Sequence, residues 1–374
     1  MKIEPFALER YFARYEFSAR FLLSSSDCEP LTLAELVAMA DDDTRALWDD
    51  LKLGYTESSG HPLLRRAIAD RYRGLAADDV VEVVPEEGIF LLMHALLSPG
   101  DHVVCVAPAY QSLHEVARSI GCEISSWSPD EERGWHFDLD ALVAQLREDT
   151  KLVVVNFPHN PTGYSPTREA FAEIVETVAD HGATLLSDEM YRLLDVVPGS
   201  GLPAACELSD RAVSLSGLSK SFGLPGLRVG WLATHDRSIL ERVLVLKDYT
   251  TICASAPGEI LALIAMRNAE SIITRQTERV RRNVAVLDGF FDRQRHLFAW
   301  NRPIGGSVCL PRSLGPEDTS TLAAEAVDGA GIMVVPSSIF GFGDRHLRIG
   351  FGREDLPEVV KRFERYLVDR RSGR

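Results

Sequence analysis

The chain is 374 residues long, 45% hydrophobic, and carries a formal net charge of -15 at pH 7. That length can bury one large core or two cores that share a cleft, and so acidic a surface argues against nucleic acid or an anionic membrane as a partner. Six cysteines (Cys28, Cys105, Cys122, Cys206, Cys253 and Cys309) lie far apart without a C-x-x-C pair, which fits a reducing compartment and no metal site.

In chain order, the opening MKIEPFALERYFARYEF mixes aromatic and charged residues without the apolar core of a signal peptide. No later window stays apolar for long enough to form a membrane helix, so a cytoplasmic protein is expected. Residues 1–45 read as a helical arm interrupted by a Ser-rich loop, Ser24 to Asp27. A helix follows from about Leu31, with Thr32 as its cap and Glu35 at the capping-box position. His61 to Gly74 has the period of an amphipathic helix closed by a glycine. From Val80 to about Trp231 come seven β-rich runs (80–84, 102–107, 122–127, 151–157, 183–189, 212–216 and 228–233). Several are separated by stretches of helical period, such as YQSLHEVARSIG and REAFAEIVETVADHG. Apolar strands alternating with helices predict an α/β fold whose mostly parallel sheet is covered on both faces, with functional residues at strand ends. A long helical stretch is expected from about Pro257 to Arg295. After it come short strands (305–311, 332–336, 346–351) and helices (319–331, 356–369), the mixed order of a smaller α+β domain. The expected division is an arm over 1–45 joining the small domain, a large domain over 46–250 and the small domain over 251–374.

Within this frame one lysine, Lys220, occupies a Ser/Gly-rich turn between two apolar strands, SLSGLSKSFGLPGLRVGW (Ser214 to Trp231). Small residues there let backbone and hydroxyls approach an anion, and Arg228 adds a second cation. Such a lysine alone fits a solvated turn; the joint pattern S-K-x-x-G-x-x-G-x-R-x-G-W is far more specific. NFPHNPTG (Asn156 to Gly163) and SDEMYR (Ser187 to Arg192) each close a strand. A buried, unpaired Asp188 at such an end is costly, so a cationic partner is expected. In HLRIGFGR (His346 to Arg353), the apolar neighbours Leu347 and Ile349 put Arg348 on the opposite strand face.

The ordered set, from about Tyr55 to the last helix, resembles the pyridoxal-phosphate (PLP) dependent class I/II aminotransferases of fold type I. The resemblance implies a large domain with a seven-stranded, mostly parallel sheet and a smaller α+β domain. It implies that Lys220 carries the cofactor as a Schiff base and that Arg228 holds the phosphate, helped by the hydroxyl of Ser219 or Ser216. Asn160 would bond the pyridine 3-oxygen and approach the substrate carboxylate, and Tyr191 would donate to the same oxygen. Asp188 would pair with the pyridine nitrogen and keep the ring an electron acceptor. Tyr110, in PAYQSL, would stack on the ring, with a core tyrosine as the plainer reading. Arg348 would clamp the α-carboxylate in a bidentate pair. Tyr55 would reach the phosphate of a neighbouring subunit, which implies a homodimer.

Two segments depart from the family pattern. The phosphate turn, usually Gly, a small residue, then Thr or Ser, is here Pro85-Glu86-Glu87-Gly88, and Pro85 has no N–H to give. Glu86 and Glu87 read as first-turn acids of a helix or as backbone donors to the phosphate. Where the family often has serine three residues before the lysine, Gly217 stands. The loop LLSSSDCEPL, with NFPHNP and KDYTTICASAP (Lys247 to Pro257), resembles the capreomycidine synthase branch, which acts on an arginine-derived amino acid by elimination and ring closure. Ser26 and Asp27 are then expected at the substrate, with Asp27 or Glu29 receiving a cationic side chain or simply lying solvated. The expected activity is an aminotransferase that passes an amino group between an α-amino acid and a 2-oxo acid. The alternative is elimination, cyclisation or oxidation of an arginine-like amino acid. A non-catalytic regulator of this fold would carry a DNA-binding domain ahead of it, and none is visible.

Overall fold

Seven strands between Val80 and Ala233 form a single sheet in the computed structural model, which describes residues 2–371. Their spatial order is Val80–Val83, Gly230–Ala233, Ala212–Gly217, Thr184–Asp188, Thr150–Asn156, His102–Val106 and Glu123–Trp127. Only Gly230–Ala233 runs antiparallel to its neighbours; the rest share one direction, as apolar strands joined through helices require. Leu152 to Val155 are fully buried, each contributing about 1.5–3 kcal/mol relative to an exposed position. The covering helices are stopped by their own sequence. Arg168–His181 is capped by Thr167, whose hydroxyl accepts from the Ala170 N–H, and it ends at Gly182. Ser112–Ile120 ends at Gly121, in the left-handed region at φ 105°.

A second core lies between the helices Thr319–Ala330, Leu356–Arg371 and the later turns of Ala269–Arg293. Its strands Val308–Cys309 and Val335–Pro336 flank Leu347–Gly350. The N-terminal segment joins it: Phe21–Leu22 pairs in parallel with Ile332–Met333, and Leu23 and Cys28 are buried there.

Several expected boundaries move. The arm, expected as helix, Ser-rich loop and helix, adds the strand Phe21–Leu22 between the helix Ala7–Tyr15 and the loop and continues in two helices, Leu33–Ala38 and Asp42–Asp49; the Thr32–Glu35 capping box is present. The helix expected to Gly74 spans only Pro62–Ala69, because Arg71 and Tyr72 turn tightly onto Ile68 and Ala69 and the Tyr72 hydroxyl accepts from the Trp231 indole. The strand expected from Arg228 begins at Gly230, since Arg228 takes a left-handed conformation at φ 57°. The long helical stretch divides into Ala256–Arg267 and Ala269–Arg293 at Asn268, whose amide donates to the carbonyls of Met39 and Ile264. Ala256–Arg267 packs with Leu64, Ile68 and Trp231. Along Ala269–Arg293 the core contacts change over between Ile272 and Val280.

Candidate active site

The carboxyl edge of the sheet brings together chain segments that are far apart in sequence. Asp188 ends its strand buried, and its Oδ1 accepts from the Met190 N–H at 3.1 Å. Burial pushes its carboxyl up to about 7; the Met190 bond and the charge of Lys220 oppose this without offsetting it. Asn156, ending the neighbouring strand, is the hinge of the site. Its amide donates to the Asp188 carbonyl at 3.0 Å, and its Oδ1 accepts from the Asn160 N–H at 2.9 Å. Asn160 Oδ1 in turn accepts from Arg348 Nη1 at 3.4 Å. His159 ties this loop to the segment before Tyr110. Buried, with its imidazole pulled down to about 3 by desolvation, it is neutral. Nε2 donates to the Pro108 carbonyl at 2.8 Å, which leaves Nδ1 to accept from Thr162.

Lys220 follows the strand Ala212–Gly217, and its Nζ donates to Ser26 Oγ at 2.8 Å, 5.9 Å from the centroid of the Tyr191 ring. The Ser26 carbonyl is held by the Ser307 hydroxyl. Arg348 is fully buried. Its guanidinium lies between the rings of Phe12 and Phe340, 5.5 and 5.4 Å from their centroids, and Nη2 donates to the Ser24 carbonyl. Nε has no partner, and burial lowers the guanidinium pKa. A buried arginine with an open N–H calls for an anion.

The facing wall is the helix Ala7–Tyr15. Glu9, Phe12 and Glu16, spaced by three and four residues, share one helical face. Glu9 accepts from the Tyr110 hydroxyl at 3.0 Å, Phe12 covers Arg348, and Glu16 lies within the charge field of Asp27, Glu9, Arg353 and Lys220. Burial, then Asp27 and Glu9, raise the Glu16 carboxyl, while Arg353 and Lys220 lower it. Asp27 pairs with Arg353 at 2.8 Å. The helix is fastened by Tyr11 Oη donating to the Val334 carbonyl and Ala7 N–H to Gln111 Oε1. Glu9, Phe12, Glu16 and Asn156 were not singled out by sequence reasoning. The only local signal was the spacing of the first three.

At the opposite end, Pro85 opens the helix Pro85–Leu96. A Cβ on Gly217 would stand 3.1 Å from the Pro85 ring, and one on Gly230 only 2.6 Å. A side chain at 217 is excluded first by backbone, the Gly230 Cα and the Val229 carbonyl oxygen each standing 3.0 Å from that Cβ, with the Pro85 ring beside them. Glu86 faces the charges of Asp188 and Arg228, and Glu87 accepts from the hydroxyls of Thr250 and Thr251. Ser219 and Ser216 are buried; Arg228 is exposed and donates to the Pro225 carbonyl. Tyr55, 92% exposed, is not brought to Lys220 within one chain.

The arrangement fits pyridoxal phosphate. A carboxyl buried without a contacting cation, an amine next to it and an arginine with an unmet N–H supply complements for a pyridinium nitrogen, an aldehyde and an amino-acid carboxylate.

A family described as aminotransferase class I and II matches residues 21–363. The chain is 34% identical to capreomycidine synthase of Streptomyces vinaceus, over 93% of this chain and 88% of that one. It is 29% identical to an aspartate aminotransferase of Streptomyces avermitilis, covering 84% and 82%. Among solved structures it resembles a PLP-dependent aminotransferase from Streptococcus suis (TM-score 0.92, 28% identity, 98% of both chains). It also resembles the PLP-dependent cyclase OrfR (TM-score 0.90, 31% identity, 99% and 98%).

Proposed function

Since the chain belongs to the class I and II aminotransferase family and so uses pyridoxal phosphate, we propose that it removes the Cα proton of an amino acid with a guanidinium-type side chain and a hydroxyl on Cβ, that this hydroxyl leaves as water, and that a guanidine nitrogen then bonds to Cβ while a proton returns to Cα. The observation that carries the substrate class is an excess of acid beside Lys220: Glu9, Glu16 and Asp27 share one charge field, with Arg353, which pairs with Asp27, and Lys220 opposing them. An aspartate or glutamate side chain would meet like charge there, whereas a guanidinium would relieve it. Ring closure is supported by the 34% identity to capreomycidine synthase and the likeness to a cyclase.

When bound, the cofactor supplies an aldehyde for Lys220 and a ring that takes up negative charge from Cα. Arg348 grips the α-carboxylate with two parallel N–H donors, and Asn160 fixes that guanidinium through Oδ1. Phe12 and Phe340 keep water off it. Lys220 Nζ, released to its free amine, takes the Cα proton as general base. As a free amine that nitrogen donates to Ser26 Oγ at 2.8 Å, 5.9 Å from the centroid of the Tyr191 ring. Asp188, ionised against a protonated pyridine nitrogen, keeps that proton in place. The Arg228 guanidinium supplies positive charge at the phosphate end, and Ser219, Glu86 and Glu87 line it. Tyr55 completes the site only from a second copy of the chain, which makes the working unit a homodimer.

Amino transfer to a 2-oxo acid is the second reading. The segment Asp188-Glu-Met-Tyr191 and the likeness to aspartate aminotransferases favour it, and it uses the same residues up to proton removal. Solvent deuterium exchange at Cα, followed by proton NMR, tests the substrate class. Exchange is expected with arginine and its hydroxylated derivatives and not with aspartate; faster exchange of aspartate would overturn the proposal. Mass spectrometry of the product then separates a cyclic amino acid from a 2-oxo acid.

A further inference from the structure

The phosphate end of the site lacks two donors of the family pattern, the N–H at Pro85 and a hydroxyl at Gly217, where the Gly230 and Val229 backbone and the Pro85 ring leave no room for a side chain. What stands there instead is a carboxyl. Glu86 lies in the first turn of Pro85–Leu96, a helix of 12 residues whose free N–H groups favour an anion. Its Oε2 accepts from the Ser112 hydroxyl at 3.2 Å, which leaves Oε1 to carry a proton. Around it stand Glu9 from the N-terminal helix, Asp188 from the sheet edge, Tyr110 from the segment before Ser112–Ile120 and Arg228 from the turn after Lys220. On its own helix Glu87 is engaged by Thr250 and Thr251. One cation therefore faces three carboxyls, and a phosphate dianion added to this set would meet strong repulsion from an ionised Glu86. A neutral carboxyl removes that repulsion and restores the missing donor.

We propose that Glu86 contacts the cofactor phosphate as the neutral acid, so that binding of pyridoxal phosphate takes up one proton at this side chain. The inference rests on the assignment of Lys220 and Arg228 to a pyridoxal phosphate site. The protonation is within reach near neutrality. Burial pushes the Glu86 carboxyl up to about 7, Glu9 and Asp188 add to this, and the Ser112 bond and Arg228 act against it. Being raised, the carboxyl is protonated below that value and ionised above it, so affinity for the cofactor falls as pH rises through about 7.

The test is the dissociation constant of pyridoxal phosphate, measured by equilibrium dialysis from pH 6.5 to 8.5 on the wild type and on Glu86→Gln, with pyridoxal as the ligand lacking a phosphate. The wild type is expected to lose about ten-fold more affinity across this range than the variant, and pyridoxal is expected to show the same profile with both proteins. Equal pH profiles for pyridoxal phosphate in the two proteins would overturn the inference. So would a Glu86-dependent profile that persists with pyridoxal. Should Glu86→Gln not fold, calorimetry of the wild type in two buffers of different ionisation enthalpy, with phosphorus NMR, decides. Uptake of a proton beside a dianionic phosphate supports the inference, and a monoanionic phosphate or no uptake sinks it. Failure of the wild type to bind pyridoxal phosphate at any pH would instead remove the cofactor site itself.

Discussion

The two walls of the cleft hold their polar groups in different ways. On the sheet edge, Asp188, Asn156, His159, Asn160 and Arg348 are buried, and each is tied by short bonds to backbone or to one another. On the facing wall, Glu9 of the helix Ala7–Tyr15 and Glu16 just past it are half-buried, and the helix is held by the bonds from Ala7 and Tyr11 and by packing of Leu8 against Met333 and Val335. A rigid edge suits chemistry shared by many amino acids, because the carboxylate, Cα and the cofactor never change. A wall of half-buried acids on a separate helix suits selection, because in the proposed reading it meets the side chain, which does change. The contrast predicts that edge substitutions damage all substrates alike and helix substitutions only some.

The largest effect is expected at Lys220. Lys220→Ala should lower turnover of every amino acid by about 10⁴-fold, the upper range for loss of a general base, and remove the protein-bound cofactor absorbance. A variant that still turned over at the wild-type rate would break the edge half of the comparison. Next comes Asp188. Its carboxyl is raised by burial from an ordinary 3.8 to about 7, so the cofactor-free fold binds a proton more tightly than the unfolded chain does. Its contribution is full below about 4 and lost as pH rises through about 7, on the order of 4 kcal/mol in all. Chemical denaturation of the apoprotein should show this slope, and the slope should flatten in Asp188→Asn and on adding pyridoxal phosphate. An Arg348→Lys variant keeps the charge and loses the planar fork. Its kcat/KM should fall about 100-fold for all amino acids, the scale of a lost charge-assisted pair of hydrogen bonds, mostly through KM.

The same contrast governs what could be read before any coordinates. All seven strands were legible, since runs such as Leu152–Val155 are apolar throughout and flanked by helical period. On the edge, Asp188, Asn160 and Arg348 were legible because each sits in a short motif at or beside a strand, whereas Asn156 and His159 were not, because their roles lie in bonds to the Asp188 and Pro108 carbonyls. The break at Asn268 was not, because it depends on a bond to Met39, far away in sequence. Nor was the helix wall: Glu9 acquires its setting from Tyr110 and Phe12 from Arg348, contacts that no local pattern encodes. Ser26 was expected at the substrate, yet its bond to Lys220 joins positions 194 residues apart. Pro85 and Gly217 read as two separate anomalies, and only the fold brings them into one packed cluster with Val229 and Gly230.

The smallest expected effect is the most discriminating. Glu16→Gln keeps the shape of the helix wall and removes one charge. Asp27→Asn would be a poorer probe, because it also strips Arg353 of its partner. Glu16 carries no such burden: its carboxyl is raised by burial and by Asp27 and Glu9, the state of an acid that a further cation would stabilise. If a guanidinium is that cation, kcat/KM for arginine-type substrates should drop about 10-fold, the low end for a charge-assisted hydrogen bond. The value for a neutral amino acid of similar length should stay within two-fold, about the noise of such a comparison on the free-energy scale. Equal losses for both would mean that the helix acts as a plain wall, and selection would then have to lie on the sheet edge after all.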